Sequence, residues 1–334
     1  MSDNLIINTS NYPFSVGWAI TNKCNLRCKH CNMSSGEELK NELTQEECYS
    51  IIDELSHENV QKIGFFGGEP LMRNDFFNIA SYAIKKGIFV TFTTNALLIN
   101  EKMIEEELYK FELVRVSLDG PTPETHEFIR NLPGSFKKTI ENIKKMVNSG
   151  INVGVVTCIS RRNINYIEEM IELLEKLKVK SWFIPILAPM GRGSNLKEQV
   201  LSPKEVGNLL VKIEKFTEKT NFLINLDLPY SVLLKNKNNN IKASCPAAIT
   251  ELVIFANGDV SPCCEIPIMG GNLRNNTIKD IWNNSKVFND FRNRSLIKGK
   301  CQGCKFIKNC GGCRANAYIK YGDYLQGDDI CWKE

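Results

Sequence analysis

The sequence has neither a long hydrophobic run nor a strong excess of charge of one sign. No segment approaches the roughly 18 apolar residues of a membrane-spanning helix, and the polar start Met-Ser-Asp-Asn does not have the character of a signal peptide. The 42 basic and 38 acidic residues are interspersed and give a net charge of only +4. We therefore expect a cytoplasmic protein that binds neither membranes nor nucleic acids.

Histidine is scarce, whereas cysteine is abundant. Of the three histidines, His57 and His126 are expected at the surface, and His30 lies within the first cysteine group. The thirteen cysteines are not expected to form disulfides in a reducing compartment. Nine of them form three groups, at positions 24/28/31, 263/264 and 301/304/310/313. This grouping indicates metal ligands, whereas the isolated Cys48 and Cys158 are predicted to be small core residues.

The first cysteine group has the spacing CxxxCxxC and consists of Cys24, Cys28 and Cys31. A [4Fe–4S] cluster is usually held by four thiolates, so three thiolates leave one iron open to bind a small molecule. A zinc knuckle is the alternative. Zinc prefers four ligands with CxxC pairs, and this loop has a three-residue first gap and lacks a fourth ligand. The spacing therefore favours a reactive cluster with an open iron.

Short apolar segments alternate with amphipathic helical segments between residues 14 and 188. The helical pattern after Thr44 begins with a capping box, since Glu47 follows three residues later. Six such units predict an α/β fold, in which a parallel sheet curls into a partial (β/α)6 TIM-type barrel that is open on one side. Functional residues of such barrels lie at the C-terminal ends of the strands. The predicted strands are 15–20, 62–66, 89–93, 113–118, 152–159 and 182–187.

The barrel is predicted to be one of four segments. An N-terminal extension covers 1–13, the partial barrel 14–190, and a helical linker 191–244, with a helix near 203–220 and an Asn/Lys-rich loop at 235–242. A small Cys-rich α+β domain covers 245–334. That last segment is too loop-rich to build a large core, and metal clusters would supply its cross-links.

These motifs resemble the radical S-adenosylmethionine (SAM) superfamily, and the resemblance extends through the whole chain. The second strand ends in a segment similar to the family's GGEP motif, which binds the SAM amino group. The third and fourth strands end in polar residues similar to those near the SAM ribose and carboxylate. The resemblance implies SAM contacts from Gly67, Gly68, Glu69, Pro70, Asn95, Ser117, Asp119 and Arg130.

Two of these residues have a second interpretation. Asp119 precedes Gly120-Pro121 and is equally consistent with a turn former. Arg130 is equally consistent with a solvated residue on a helix face.

The resemblance also implies a mechanism. The amino and carboxylate groups of SAM chelate the open iron, and an electron from the cluster cleaves the C5′–S bond. The resulting 5′-deoxyadenosyl radical removes a hydrogen atom from an unactivated C–H bond. The protein positions the reactants and excludes water. An external donor such as flavodoxin or ferredoxin would supply the electron.

The C-terminal cysteines resemble the SPASM module, which carries two auxiliary iron–sulfur clusters. The pattern is Cx12Gx4C followed by Cx2Cx5Cx2C and a final cysteine. The last internal gap is two residues, against three in many members. The resemblance implies two ligand sets. The first set is Cys245, Cys263 and Cys313, and the second is Cys301, Cys304, Cys310 and Cys331.

The first set lacks one cysteine that many relatives have, so its cluster is open, smaller or completed by another group. A pair of zinc sites is the alternative for the whole C-terminal group.

Cys264 directly follows the predicted ligand Cys263. In sulfatase-maturing relatives this position bears a catalytic base, which places it against the substrate. The leading hypothesis is that Cys264 is a catalytic hydrogen-atom donor to the substrate radical. A fourth cluster ligand and a passive buried thiol are the other interpretations.

The resemblance leaves three hypotheses for function. The first is radical modification of a ribosomally made peptide, by epimerisation, cross-linking or thioether formation. Because the first predicted strand begins near residue 15, we expect no N-terminal peptide-recognition domain and propose a separate recognition protein as a partner. The second is a tetrapyrrole enzyme resembling the SAM-dependent haem synthases, which share the segment Pro189-Met-Gly-Arg-Gly. The third is a non-catalytic electron-transfer protein.

Overall fold

The computed structural model describes residues 5–217, 220–234, 241–242 and 245–333. The strands are β1 Ser15–Thr21, β2 Lys62–Gly67, β3 Phe89–Thr94, β4 Leu113–Ser117, β5 Val153–Val156, β6 Ser181–Ile184, β7 Leu223–Leu226, β8 Ile241–Lys242, β9 Glu251–Ile254, β10 Asp259–Ser261 and β11 Gly271–Asn272. The α-helices are α1 Gln45–His57, α2 Phe76–Lys85, α3 Glu101–Glu106, α4 Pro123–Arg130, α5 Ser135–Asn148, α6 Ile167–Leu177, α7 Pro203–Phe216, α8 Ile278–Asn284, α9 Lys286–Arg292 and α10 Arg314–Tyr321. All six predicted strands are present.

The described strands form one sheet in the order β11-β10-β9-β1-β2-β3-β4-β5-β6-β7-β8. Neighbouring strands from β1 to β8 pair in parallel, and helices connect β1 through β7, as the alternating pattern predicts. Strand β6 pairs with β7 instead of returning to β1. The predicted partial barrel is therefore confirmed.

The two faces of the sheet differ in what they contact. On the outer face, Trp18, Phe65 and Phe92 are buried and belong to an aromatic cluster with Phe76 of α2. Helix α1 begins at the predicted capping box, because Thr44 and Glu47 exchange hydrogen bonds. Alternate residues face the inside of the curved sheet, where glycines on β1, β2 and β5 leave space between longer side chains.

The C-terminal segments extend the same sheet. The segment predicted as a helical linker contains α7, as expected, but it also contributes β7, which the sequence analysis missed. Strand β9 of the Cys-rich segment pairs in parallel with β1. The N-terminal extension also contacts this segment, because the Ile7 amide donates to the Arg292 carbonyl. Most of the Asn/Lys-rich stretch predicted as a loop lies outside the described residues.

None of the helices in the described ranges has the length and apolar character needed to cross a membrane.

Candidate active site

The first cysteine group lies in the loop that follows β1. The Leu26 amide points at the Cys24 sulfur at 3.4 Å, and Arg130 Nη1 lies 3.8 Å from the Cys28 sulfur. Such N–H donors suit thiolates that ligate iron. Burial raises the pKa of Cys24 to about 11, so metal binding must displace its proton.

The Gly67-Gly68 turn after β2 packs directly on this loop. The amides of Gly68 and Glu69 each donate to a carbonyl of the loop, Thr21 and Lys23, at 2.8 Å. A Cβ atom at Gly68 would lie 2.1 Å from the Lys23 carbonyl oxygen. Gly67 has a φ of 122°, and its Cβ would lie 2.6 Å from the Thr21 oxygen. Only glycines allow this close approach.

Glu69 connects the ends of β2 and β3. Its buried carboxylate accepts hydrogen bonds from the Thr94 hydroxyl at 2.7 Å and the Asn95 amide at 2.8 Å. Burial raises the pKa of Glu69 to about 7, although these donors oppose the shift. The Asn95 side chain in turn donates to Asn25 of the cysteine loop at 2.8 Å. The predicted SAM residues of these two strands are therefore brought together beside Cys24.

Asp119 and Arg130 form a buried ion pair at the end of β4, where the buried Ser117 also lies. Arg130 Nε lies 2.7 Å from Asp119 Oδ2, and the other carboxylate oxygen accepts the Cys158 amide. Burial opposes ionisation, but the guanidinium holds the pKa of Asp119 below its usual value. Arg130 is therefore not a solvated helix residue, and Asp119 does more than form a turn. Direct contact of the pair with SAM stays a prediction.

The three histidines have different environments. His57 is exposed, as predicted. The surface prediction for His126 is wrong, because its side chain is only 1 % exposed and its Nδ1 accepts the Asp119 amide at 3.2 Å. His30 Nδ1 is buried without a hydrogen-bond partner among the described residues. Burial lowers the pKa of His30 to about 4, so this ring is neutral.

Arg192 connects the segment after β6 to the cysteine loop, and the sequence analysis did not predict this role. Its Nε donates to the Cys28 carbonyl and its Nη1 to the Ser35 carbonyl, each at 2.9 Å. Its backbone amide donates to the Cys31 carbonyl at 3.0 Å. The flanking Gly191 also touches the loop, since a Cβ there would lie 2.2 Å from the Asn32 oxygen. The Met-Gly-Arg-Gly segment thus also holds the cysteine loop, through contacts separate from those of the Gly-Gly turn.

Backbone N–H groups also point at the sulfurs of the C-terminal cysteines, as the Leu26 amide does at Cys24. In the described part, backbone amides point at the sulfurs of six of the seven predicted auxiliary ligands: Cys245, Cys263, Cys301, Cys310, Cys313 and Cys331. The Cys264 thiol contacts that of Cys263, so this residue lies directly beside a predicted ligand.

Among the described residues, no group of three His, Cys, Asp or Glu side chains is arranged so that it could bind a single metal ion. In a cubane cluster each cysteine binds a different iron. The donor set and its N–H partners therefore suit iron–sulfur clusters.

Cys158, Asp227 and Glu265 lie near one another, because Glu265 interacts electrostatically with both Cys158 and Asp227. Cys158 and Glu265 are partly exposed to solvent, and Asp227 is exposed. The core prediction for Cys158 is therefore wrong, whereas Cys48 is fully buried as predicted. Burial, with the nearby Asp119 and Glu265, raises the pKa of the Cys158 thiol well above its usual value. This thiol therefore stays protonated at neutral pH.

The family can now be assigned. Residues 18–174 match the profile of the radical SAM superfamily, and residues 245–313 match the SPASM iron–sulfur cluster-binding domain. The chain belongs to the radical SAM superfamily. Its cofactors are accordingly SAM and a [4Fe–4S] cluster, with further iron–sulfur binding in the SPASM domain. Cys24, Cys28 and Cys31 would hold the first cluster.

Known relatives include enzymes of two kinds. The chain is 30 % identical to an AdoMet-dependent heme synthase of Methanosarcina barkeri, over 98 % of both chains. It is also 30 % identical to the mycofactocin maturase MftC of Mycobacterium tuberculosis, covering 95 % of this chain and 82 % of MftC. The fold is similar to that of Streptococcus suis SuiB bound to S-adenosylmethionine, with a TM-score of 0.80 and 19 % identity, covering 98 % of this chain and 79 % of SuiB.

Proposed function

We propose that this radical SAM enzyme modifies a ribosomally made peptide, by epimerisation, cross-linking or thioether formation. When bound, the cluster and SAM would supply the radical chemistry that removes hydrogen from carbon. The chain's own residues would hold these groups and present the substrate. The Gly-Gly turn would allow close backbone approach to the SAM amino group, and Arg130, whose Nε pairs with Asp119, would offer its remaining N–H groups to the SAM carboxylate.

The acidic side chains of Asp227 and Glu265 carry the choice of a peptide. Burial, together with neighbouring carboxylates, raises the pKa of Asp227 to about 6 and that of Glu265 to about 8. Neither carboxylate forms an ion pair within the described ranges, although Arg115 partly offsets the shift of Asp227. Two neighbouring acidic side chains are poorly suited to a tetrapyrrole that carries several carboxylates of its own. A peptide with a polar or cationic segment suits them better.

Two thiols also lie near Glu265, Cys264 as its neighbour in the sequence and Cys158 through the fold. Cys264 lies beside the auxiliary ligand Cys263, and Cys158 lies at the end of β5 between Glu265 and the Asp119–Arg130 pair. A protonated thiol can return a hydrogen atom to a carbon radical, which an epimerisation requires. Cys264 remains the proposed donor, and Cys158 is a second candidate that the structure adds.

A tetrapyrrole substrate is the second candidate function. It is favoured by the match to the heme synthase, which extends over nearly the full length of both chains. The maturase relative covers almost as much of this chain at the same identity, so overall similarity does not separate the two. The hypothesis of a non-catalytic electron-transfer protein is set aside, because the relatives are enzymes.

The test compares the two substrate classes directly. Anaerobically reconstituted protein is incubated with SAM, dithionite and either an iron coproporphyrin or any short precursor peptide encoded beside its gene. We expect a mass change or a D-residue in the peptide and no loss of carboxyl groups from the porphyrin. Decarboxylated porphyrin together with unchanged peptide would overturn the peptide proposal in favour of the alternative. A flavodoxin or ferredoxin can replace dithionite to test the proposed electron donor.

A further inference from the structure

The C-terminal domain contains a buried arginine whose charge has no carboxylate partner. Arg294 is 7 % exposed, forms no ion pair within the described residues, and leaves its Nε without a hydrogen bond. A buried, unpaired cation is costly, so its presence requires an explanation. The neighbouring Arg292 is equally buried, likewise has no ion pair within the described residues and leaves its Nη2 without a hydrogen bond, but it differs in its other contacts. Its guanidinium donates to the Ala248 and Trp282 carbonyls and stacks on the Trp282 ring.

Arg294 lies against the peptide that joins the two predicted ligand sets. A Cβ atom on Gly311 would lie 2.0 Å from Arg294 Nη1, so the guanidinium contacts this glycine. Gly311 and Gly312 connect Cys310, assigned to the second set, with Cys313, assigned to the first. The thiols of Cys245 and Cys310, which also belong to different sets, both favour the charge of Arg294, whereas the nearby Arg314 opposes it. The guanidinium, in contact with Gly311, therefore lies near a ligand of each predicted set.

The chemistry of the neighbours explains the unpaired charge. Thiolates that ligate iron carry negative charge, and a cluster becomes more negative by one charge when it takes up an electron. A fixed cation nearby favours that reduced state, and net charge is one of the determinants of cluster potential. Burial alone lowers the pKa of Arg292, with no contribution from a cysteine thiol. The two arginines thus share burial and differ in what they face.

We propose that Arg294 is a counter-charge shared by the two auxiliary clusters, and that it raises the reduction potentials of both. This inference rests on the ligand sets proposed above.

The test uses a full-length background in which Cys24, Cys28 and Cys31 are replaced by alanine, so that only auxiliary clusters remain. Iron content and potentiometric titration with dithionite, followed by electron paramagnetic resonance, are measured in this background. Each titrated cluster gains one electron from dithionite, and no bond is made or broken. The variants are Arg294→Met, Arg294→Lys and the matched control Arg292→Met.

The expected and contrary results differ in the midpoint potentials and iron contents of the three variants. We expect Arg294→Met to shift the auxiliary midpoint potentials to more negative values, or to lose auxiliary iron, while Arg294→Lys and Arg292→Met keep both properties. Unchanged potentials in Arg294→Met, or equal iron loss in the methionine and lysine variants, would overturn the inference and leave the ligand sets intact. A background protein that binds no iron at all would overturn both the ligand sets and the inference.

Discussion

Replacing Arg192 with methionine tests how the cysteine loop is held. The substitution removes the two guanidinium hydrogen bonds to the Cys28 and Ser35 carbonyls and keeps the backbone bond to Cys31. Hydrogen bonds to charged groups contribute about 1.5–3 kcal/mol each, and the lower value is appropriate for this half-buried side chain. The expected loss is therefore about 3 kcal/mol, or roughly a hundredfold in the population of the ordered loop.

The assay for this variant reports on the loop directly. Iron and sulfide per chain are measured after anaerobic reconstitution, and the paramagnetic signal of the reduced cluster is recorded with and without SAM. We expect lower cluster occupancy and a weaker change of the signal on adding SAM. Arg192→Lys should restore part of both, because one hydrogen bond can still form.

Arg161→Met is the matched control. Arg161 also lies in a loop at this end of the sheet, but its partners are Glu205 and a backbone carbonyl at the surface. Exposed ion pairs contribute about 0–1 kcal/mol, so iron content and the SAM response should not change. Normal iron and a normal SAM response in Arg192→Met would refute the role of Arg192.

Three further predictions address the predicted SAM and thiol residues. Gly68→Ala should abolish SAM binding measured by equilibrium dialysis, since its Cβ would meet a carbonyl oxygen at 2.1 Å. Gly87→Ala should bind SAM normally, because its Cβ would meet no neighbour and its φ of 83° strains only an exposed turn. Because the folded-state pKa of Glu69 is raised to about 7, metal-free protein should lose stability as pH rises from about 4.5 to 7, by at most about 3 kcal/mol. Urea unfolding across this range should show a flatter profile in Glu69→Gln, and an unchanged slope would contradict the assignment. If the reaction is an epimerisation, Cys264→Ala should stop the transfer of deuterium from D2O into the peptide product. If Cys158→Ala stops this transfer and Cys264→Ala does not, the donor is Cys158.

Much of the fold was predictable because local patterns agree with the long-range contacts. The capping box at Thr44 and the six alternating strands are local features, and the structure contains each of them where it was expected. Strand β7 was missed because four residues within a segment assigned to a linker carry too little pattern to identify a strand.

The environments of single side chains were harder to predict. The sequence analysis misplaced His126 and Cys158 because the environment of each depends on a contact with Asp119. Asp119 lies on a different element from Cys158, and only folding brings the two residues together. The role of Arg192 depends on carbonyl groups more than 150 residues earlier in the chain, and no local pattern reveals such a contact. A charged residue can be recognised in the sequence, but the groups that it contacts in the fold often cannot.

The central claim is that three thiolates of the loop after β1 leave one iron free to bind and reductively cleave SAM. The most direct test is release of 5′-deoxyadenosine by anaerobically reconstituted protein given SAM and dithionite, compared with the variant that lacks Cys24, Cys28 and Cys31. We predict 5′-deoxyadenosine from the intact protein and none from the variant. Intact protein with a full complement of iron that releases no 5′-deoxyadenosine would contradict the account.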